Sequence, residues 1–143
     1  MSTATLTTAP PFIRSRGARW SVVALQVVLA VIYVMAASAK VTLDPTAVAG
    51  FAEMGFGPAG TVTIGVIELA AALGLLIPRL AGLAATGCVA LMVGAVGFTV
   101  ATMGAATALF PAAVLALAVV VAGARRHETA ALVRHPRRTL LGR

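Results

Sequence analysis

Charge and cysteine are the two things this chain has least of. Only 10% of its 143 residues are charged, against roughly 25% in a typical soluble domain, which excludes the ordinary globular class. The single cysteine, Cys88, has no intrachain partner, so a disulfide scaffold and a cysteine-based zinc site are excluded as well. The dinucleotide-binding glycine fingerprint and the haem-attachment Cys-x-x-Cys-His run are missing too, so any cofactor is borrowed or lipid-soluble. Aromatic residues make up 5% of the chain and acidic residues number four. Hydrophobic residues, by contrast, reach 60%, with a mean hydropathy of +1.02. The length suits one compact unit, and four membrane helices of ~20 residues each fit within it.

The net charge of +7 does not mark a nucleic-acid binder, because the basic residues bracket the apolar runs. Arg14, Arg16 and Arg19 precede the first run, and Arg125, Arg126, Arg134, Arg137, Arg138 and Arg143 follow the last; only Lys40 and Arg79 interrupt the interior. Nucleic-acid sites gather basic residues on a polar face, usually with interleaved aromatics. Bracketing is the habit of juxtamembrane anchors.

Along the chain, residues 1–19 read as a disordered lead, rich in Thr, Ala and Ser and broken by Pro10-Pro11. A span is expected over about 20–43, with Trp20 at the headgroup boundary. The rival is a cleaved signal peptide ending at Ala37-Ser38-Ala39, but the apolar run exceeds the usual ~7–15 residues. Between about 41 and 59 the texture changes. Asp44 can cap a short helix with Pro45 in its first position, and Gly55 supplies a left-handed stop that lets Phe56 pack back on Phe51. This segment reads as a short amphipathic helix at the membrane interface.

The second span is expected over about 60–77, closed by Pro78-Arg79. From Leu80 to Ala124 there are 45 residues without a charge, which suits two spans, about 80–102 and 107–124, the latter with Pro111 in its first turns. The fold class is therefore all-α: an integral membrane four-helix bundle, residues 20–124, with an interfacial helix between the first and second spans. Lys and Arg number ten on the two tails and the Arg79 turn against one in the Lys40 to Pro58 hairpin. The positive-inside rule then places both termini in the cytoplasm. The tail, 125–143, reads either as a solvated stop-transfer segment or as a surface helix with Leu132, Val133, Leu140 and Leu141 inserted; His127 and His135 are bystanders there.

Polar residues inside spans are rare enough to be informative. Gln26, Tyr33 and Lys40 are spaced by seven, with Ala30 and Ala37 between, and at 100° per residue all five share one face. Thr61, Gly65, Glu68 and Ala72 share a face of the second span by the same arithmetic. Lipid offers Glu68 no partner, so the two stripes are expected to face each other. Side chains lean toward their own helix N-terminus; on antiparallel spans Lys40 and Glu68 therefore lean toward one another. The expected site is Lys40 with Glu68, lined by Tyr33, Gly65 and Gln26, and it is either an ion pair that sets helix register or a polar cavity for a proton, an ion or a head group. Ala70 to Gly74 and Ala90 to Gly94 have the small-xxx-small spacing of close helix contacts. Thr86, Thr99 and Thr102 read as backbone-bonded, and Cys88 as an inert buried thiol.

Ala36-Ala37-Ser38-Ala39-Lys40, Asp44-Pro45, Phe51, Gly55 to Gly57, Ile64-Gly65-Val66-Ile67-Glu68, Gly74-Leu75-Leu76-Ile77-Pro78 and Gly94-Ala95-Val96 together resemble the DoxX-like family of small bacterial membrane proteins, over about residues 25–110. The resemblance implies a four-helix bundle in a bacterial cytoplasmic membrane. It also implies a link to sulfur or quinone-connected oxidation, to membrane oxidoreductase assemblies, or to the assembly of other membrane proteins. Relatives often carry a His near the position of Phe98 and Thr99; its replacement here points away from redox catalysis by this chain itself. The leading expectation is an accessory or quinone-linked component of a membrane redox system, with no catalytic residue assigned, no metal site, and quinone as the candidate cofactor. A non-enzymatic membrane chaperone or scaffold is the second class. A small proton-coupled transporter is the third, although such proteins carry their Glu in the first span without a lysine. The expected partners are the lipid bilayer, a membrane oxidoreductase or other membrane protein, and a second copy of the chain.

Overall fold

The structure, a computed structural model, describes residues 16–134. They form six helices: α1 (Arg16–Val41), α2 (Pro45–Glu53), α3 (Pro58–Leu76), α4 (Ala81–Met103), α5 (Leu109–Ala124) and α6 (Arg126–Arg134). Residues 1–15, and with them most of the expected lead, lie outside the described residues, as do His135, Leu140 and Leu141. The lead was expected to reach residue 19, yet α1 begins at Arg16. No proline separates Arg16 from Trp20, and the single Gly17 falls in the first turn, where its cost of roughly 1 kcal/mol is tolerated, so the span extends its hydrogen bonding backwards to Arg16.

The chain is an apolar helical bundle. α1, α3 and α4 are long and apolar enough to cross a membrane, and α5 is a shorter apolar helix of 16 residues. The two extensive interfaces are α1 on α3 and α4 on α5; smaller contacts of α3 with α4 and of α5 with α1 close the ring. The core is built of small and medium side chains: Leu29, Ala30, Ala72, Leu75, Ala85, Cys88, Val114, Ala118 and Val121, with Tyr33 as its one aromatic ring. Small residues allow close approach of helix backbones, which is where association in lipid finds its van der Waals energy. Gly74 faces Ala84, with only 3.0 Å between a Cβ placed on it and the alanine methyl.

Two left-handed stops position α2. Leu43, at φ +56°, ends α1: its N–H donates to the Lys40 carbonyl and the N–H of Asp44 to that of Ala39. Asp44 then starts the next helix, its Oδ1 accepting from the amides of Thr46 at 2.9 Å and Ala47 at 3.4 Å, with Pro45 in the first turn. Gly55, at φ +79°, ends α2 in the same way, with Gly55 N–H on the Ala52 carbonyl and Phe56 N–H on that of Phe51. A hydrophobic contact commonly accompanies this stop; here it is Phe51 edge-on to Phe56, centroids 6.2 Å apart.

The tail folds back on the bundle. α6 lies against the start of α4, where a Cβ on Gly82 would sit 2.8 Å from the Arg125 carbonyl oxygen and collide with the Thr129 hydroxyl. Leu132 is buried while Val133 is 70% exposed. Leu132 therefore packs into protein rather than inserting into a leaflet, because Gly82 leaves room for the helix to come close.

Candidate functional site

The polar stripes of α1 and α3 meet as their periodicity requires. Gln26, Tyr33 and Ala37 of α1 and Thr61, Gly65, Glu68 and Ala72 of α3 are all buried. Lys40, one turn before the α1 stop, donates from Nζ to Glu68 Oε2 at 2.8 Å and to the Ala36 carbonyl at 3.2 Å. The two side chains are only 14% and 7% exposed. Taking two charges out of water or headgroups is costly, and close pairing with further hydrogen bonds is what offsets it. The bond to Ala36 occupies a second ammonium proton, and the Phe51 ring, its centroid 5.6 Å from Nζ, takes part of what remains.

Gly65 makes the meeting geometrically feasible. A Cβ there would lie 2.8 Å from Lys40 Cβ, 3.0 Å from Val41 Cγ2 and 3.2 Å from the Ala37 carbonyl oxygen. Only a residue without a side chain lets α1 approach α3 closely enough for Lys40 to reach Glu68. Tyr33 is 2% exposed and donates from Oη to the Cys88 carbonyl of α4 at 3.0 Å, so its hydroxyl serves the bundle and its ring forms a wall of the site. Gln26 is not part of it. At ~1.5 Å per residue Lys40 lies roughly 21 Å further along α1. Gln26 Nε2 instead donates to the Leu75 carbonyl, one of the last carbonyls of α3, which have no partner within the helix.

Three clefts surround the pair. One of ≈ 430 Å³ runs between α3 and α4 under α2, with Glu68, Phe56, Met92, Gly94 and Phe98 among its walls. A second of ≈ 250 Å³ is walled by Lys40, Glu68, Tyr33, Phe110 and Pro111. A third of ≈ 300 Å³ lies between α1, α2 and α4 and includes Lys40, Met54 and Thr99. Ligand sites typically measure ~300–1,000 Å³, mostly apolar with a few polar groups. An ammonium donor beside a carboxylate acceptor, at the end of aromatic and methionine-lined space, suits the head of an apolar molecule.

A family model described as the DoxX-like family matches residues 24–121. The chain belongs to the DoxX-like family. No curated protein and no solved structure gives a significant match. In this DoxX-like bundle the matched stretch contains both charges of the pair, Gly65, α2 and the three clefts; α6 falls outside it. Among the described residues no three His, Cys, Asp or Glu side chains gather as a metal site. Phe51 and the methionines around the pair escaped sequence reasoning. Phe51 was legible as a packing partner for Phe56, but its place over Lys40 depends on the turn at Leu43, which carries no glycine or asparagine to announce a left-handed residue.

Gly65→Ala is expected to destabilise the DoxX-like bundle by ~1–3 kcal/mol, the range for overpacking a tight contact. The measurement is the thermal midpoint in mild detergent. Gly87→Ala serves as the control, since a Cβ there meets nothing within 4 Å.

Proposed function

We propose that this DoxX-like protein binds a lipid-soluble molecule of the quinone class at Lys40 and Glu68, and serves a membrane redox system as an accessory subunit. The observation that carries this reading is a buried ion pair opening onto clefts that are otherwise apolar and aromatic. Lys40 can donate a hydrogen bond to a carbonyl oxygen, and Glu68 can accept one from a hydroxyl. The same two side chains can thus hold either form of a two-oxygen ring, while the Phe and Met walls take its faces. When bound, such a group supplies the electron-carrying chemistry; the chain supplies the donor, the acceptor and the dry surroundings.

The test is purification of the full chain from native membranes in mild detergent, followed by solvent extraction and chromatography. Quinone is expected to copurify with the wild-type protein and to be depleted when both Lys40→Met and Glu68→Gln are present. Recovery no higher than with an unrelated four-span protein would sink the reading.

The reading places the protein in the bacterial cytoplasmic membrane with both termini cytoplasmic, supported by the ten-to-one distribution of basic residues. The α2 end, with Lys40, then faces outward. Ala49 is exposed on α2 and Cys88 is buried, so Ala49→Cys introduces a single reactive thiol. A membrane-impermeant maleimide is expected to label it in intact spheroplasts. Labelling confined to inverted vesicles would reverse the orientation.

A further inference from the structure

The three clefts converge on one side chain. The ≈ 430 Å³ cleft has Glu68 in its wall without Lys40, the ≈ 300 Å³ cleft has Lys40 without Glu68, and the ≈ 250 Å³ cleft has both. Phe51 lines all three, and no other described residue does. The ion pair and the Phe51 ring together form the partition between them.

Of the residues lining the largest of the three clefts, two are exposed and mark its mouth, Phe56 and Gly94. This glycine is exposed on α4, and a Cβ built on it would meet nothing within 4 Å. Of the three long apolar helices α4 is also the least covered by protein, with 11% of its apolar window buried. An acyl or isoprenoid tail can therefore lie along α4 while a ring passes Gly94 toward Glu68. The partition opens differently. α2 is fastened at both ends, by the Asp44 cap and by the left-handed stops at Leu43 and Gly55. Swinging it would break several backbone hydrogen bonds. The Phe51 ring gives up its edge contact with Phe56 and its approach to Lys40 by a change of rotamer alone, with the backbone of α2 in place.

We propose that the largest cleft is the bilayer-side entry for a ring-headed, single-tailed amphiphile, and that Phe51 is the gate and positioning residue between this cleft and the two that Lys40 lines. This rests on the quinone reading for the identity of the occupant, whereas the route stands on the cleft geometry.

The experiment uses the full chain in phosphatidylcholine nanodiscs with decylubiquinone as the probe. Gly94→Phe fills the mouth and leaves the thermal midpoint of the unliganded protein unchanged. It is expected to weaken probe binding roughly tenfold or more. Phe51→Ala removes the gate and is expected to speed probe dissociation roughly tenfold, while Leu73→Phe, on the exposed face of α3, changes neither. Binding to Gly94→Phe as tight as to wild type overturns the route, and an unchanged dissociation rate in Phe51→Ala overturns the gate. If the wild-type protein retains no decylubiquinone, it is the quinone reading that fails. A diazirine-bearing palmitate then reads the route directly. Photolabelling of Met92 that is lost in Gly94→Phe while Leu73 stays labelled upholds it, and equal labelling of Met92 overturns it.

Discussion

Glu68→Gln and Lys40→Met are each expected to cost up to ~3–5 kcal/mol of bundle stability, the range for orphaning one member of a buried ion pair. Each leaves a nearly enclosed charge without its counter-ion: Lys40 keeps neutral neighbours such as the Ala36 carbonyl and the Phe51 ring, and Glu68 loses its 2.8 Å ammonium donor. The double variant is expected to fall well short of the sum, because neither charge is then stranded. Thermal unfolding of the four proteins in one detergent gives the coupling energy, and additive losses would show that the two side chains do not interact. The cycle also separates register from ligand binding. A double variant that regains stability but no longer retains quinone assigns the pair to the ligand; one that regains both assigns it to helix register alone.

Tyr33→Ala is expected to be the most damaging single truncation in the core, at roughly 3 kcal/mol. Large-to-small substitutions of buried rings cost ~3–5 kcal/mol in soluble proteins. Lipid tails are as apolar as the core, so the cavity and lost contacts remain as the penalty while the transfer contribution shrinks. Tyr33→Phe isolates the hydroxyl. It removes only the bond to the Cys88 carbonyl, and interhelical hydrogen bonds in membranes average ~0.6 kcal/mol. Thermal midpoints should therefore rank wild type slightly above Tyr33→Phe and both far above Tyr33→Ala. A Tyr33→Phe loss as large as that of Tyr33→Ala would contradict the packing role of the ring.

The stripe residues were legible for a physical reason. In a chain with so few polar side chains, each one inside a span must find protein, and helical periodicity then says which face turns inward. Lys40, Glu68, Gly65 and the α2 boundary residues Asp44, Pro45 and Gly55 followed from that logic and from turn chemistry. Gln26 shows its limit. Periodicity reports direction around a helix but not depth, and the same stripe carries one residue to the ion pair and another to the end of α3. The close approach of α6 was hidden differently. Gly82 resembles any other glycine in an Ala- and Gly-rich helix, and only the return of the chain after Ala124 gives it a neighbour.

The unequal lengths of α4 and α5 have a consequence for where this protein can reside. At ~1.5 Å per residue, the 23 residues of α4 and the 16 of α5 measure roughly 35 Å and 24 Å. Packed side by side, they present the bilayer with one wall thicker than its ~30 Å hydrocarbon layer and one thinner. The long helix is relieved by tilt and the short one by drawing the headgroups inward over the turn before Leu109. Longer acyl chains relieve the first mismatch and aggravate the second, and shorter ones do the reverse, so reconstitution into a graded series of lipid thickness should show an optimum between the two helix lengths.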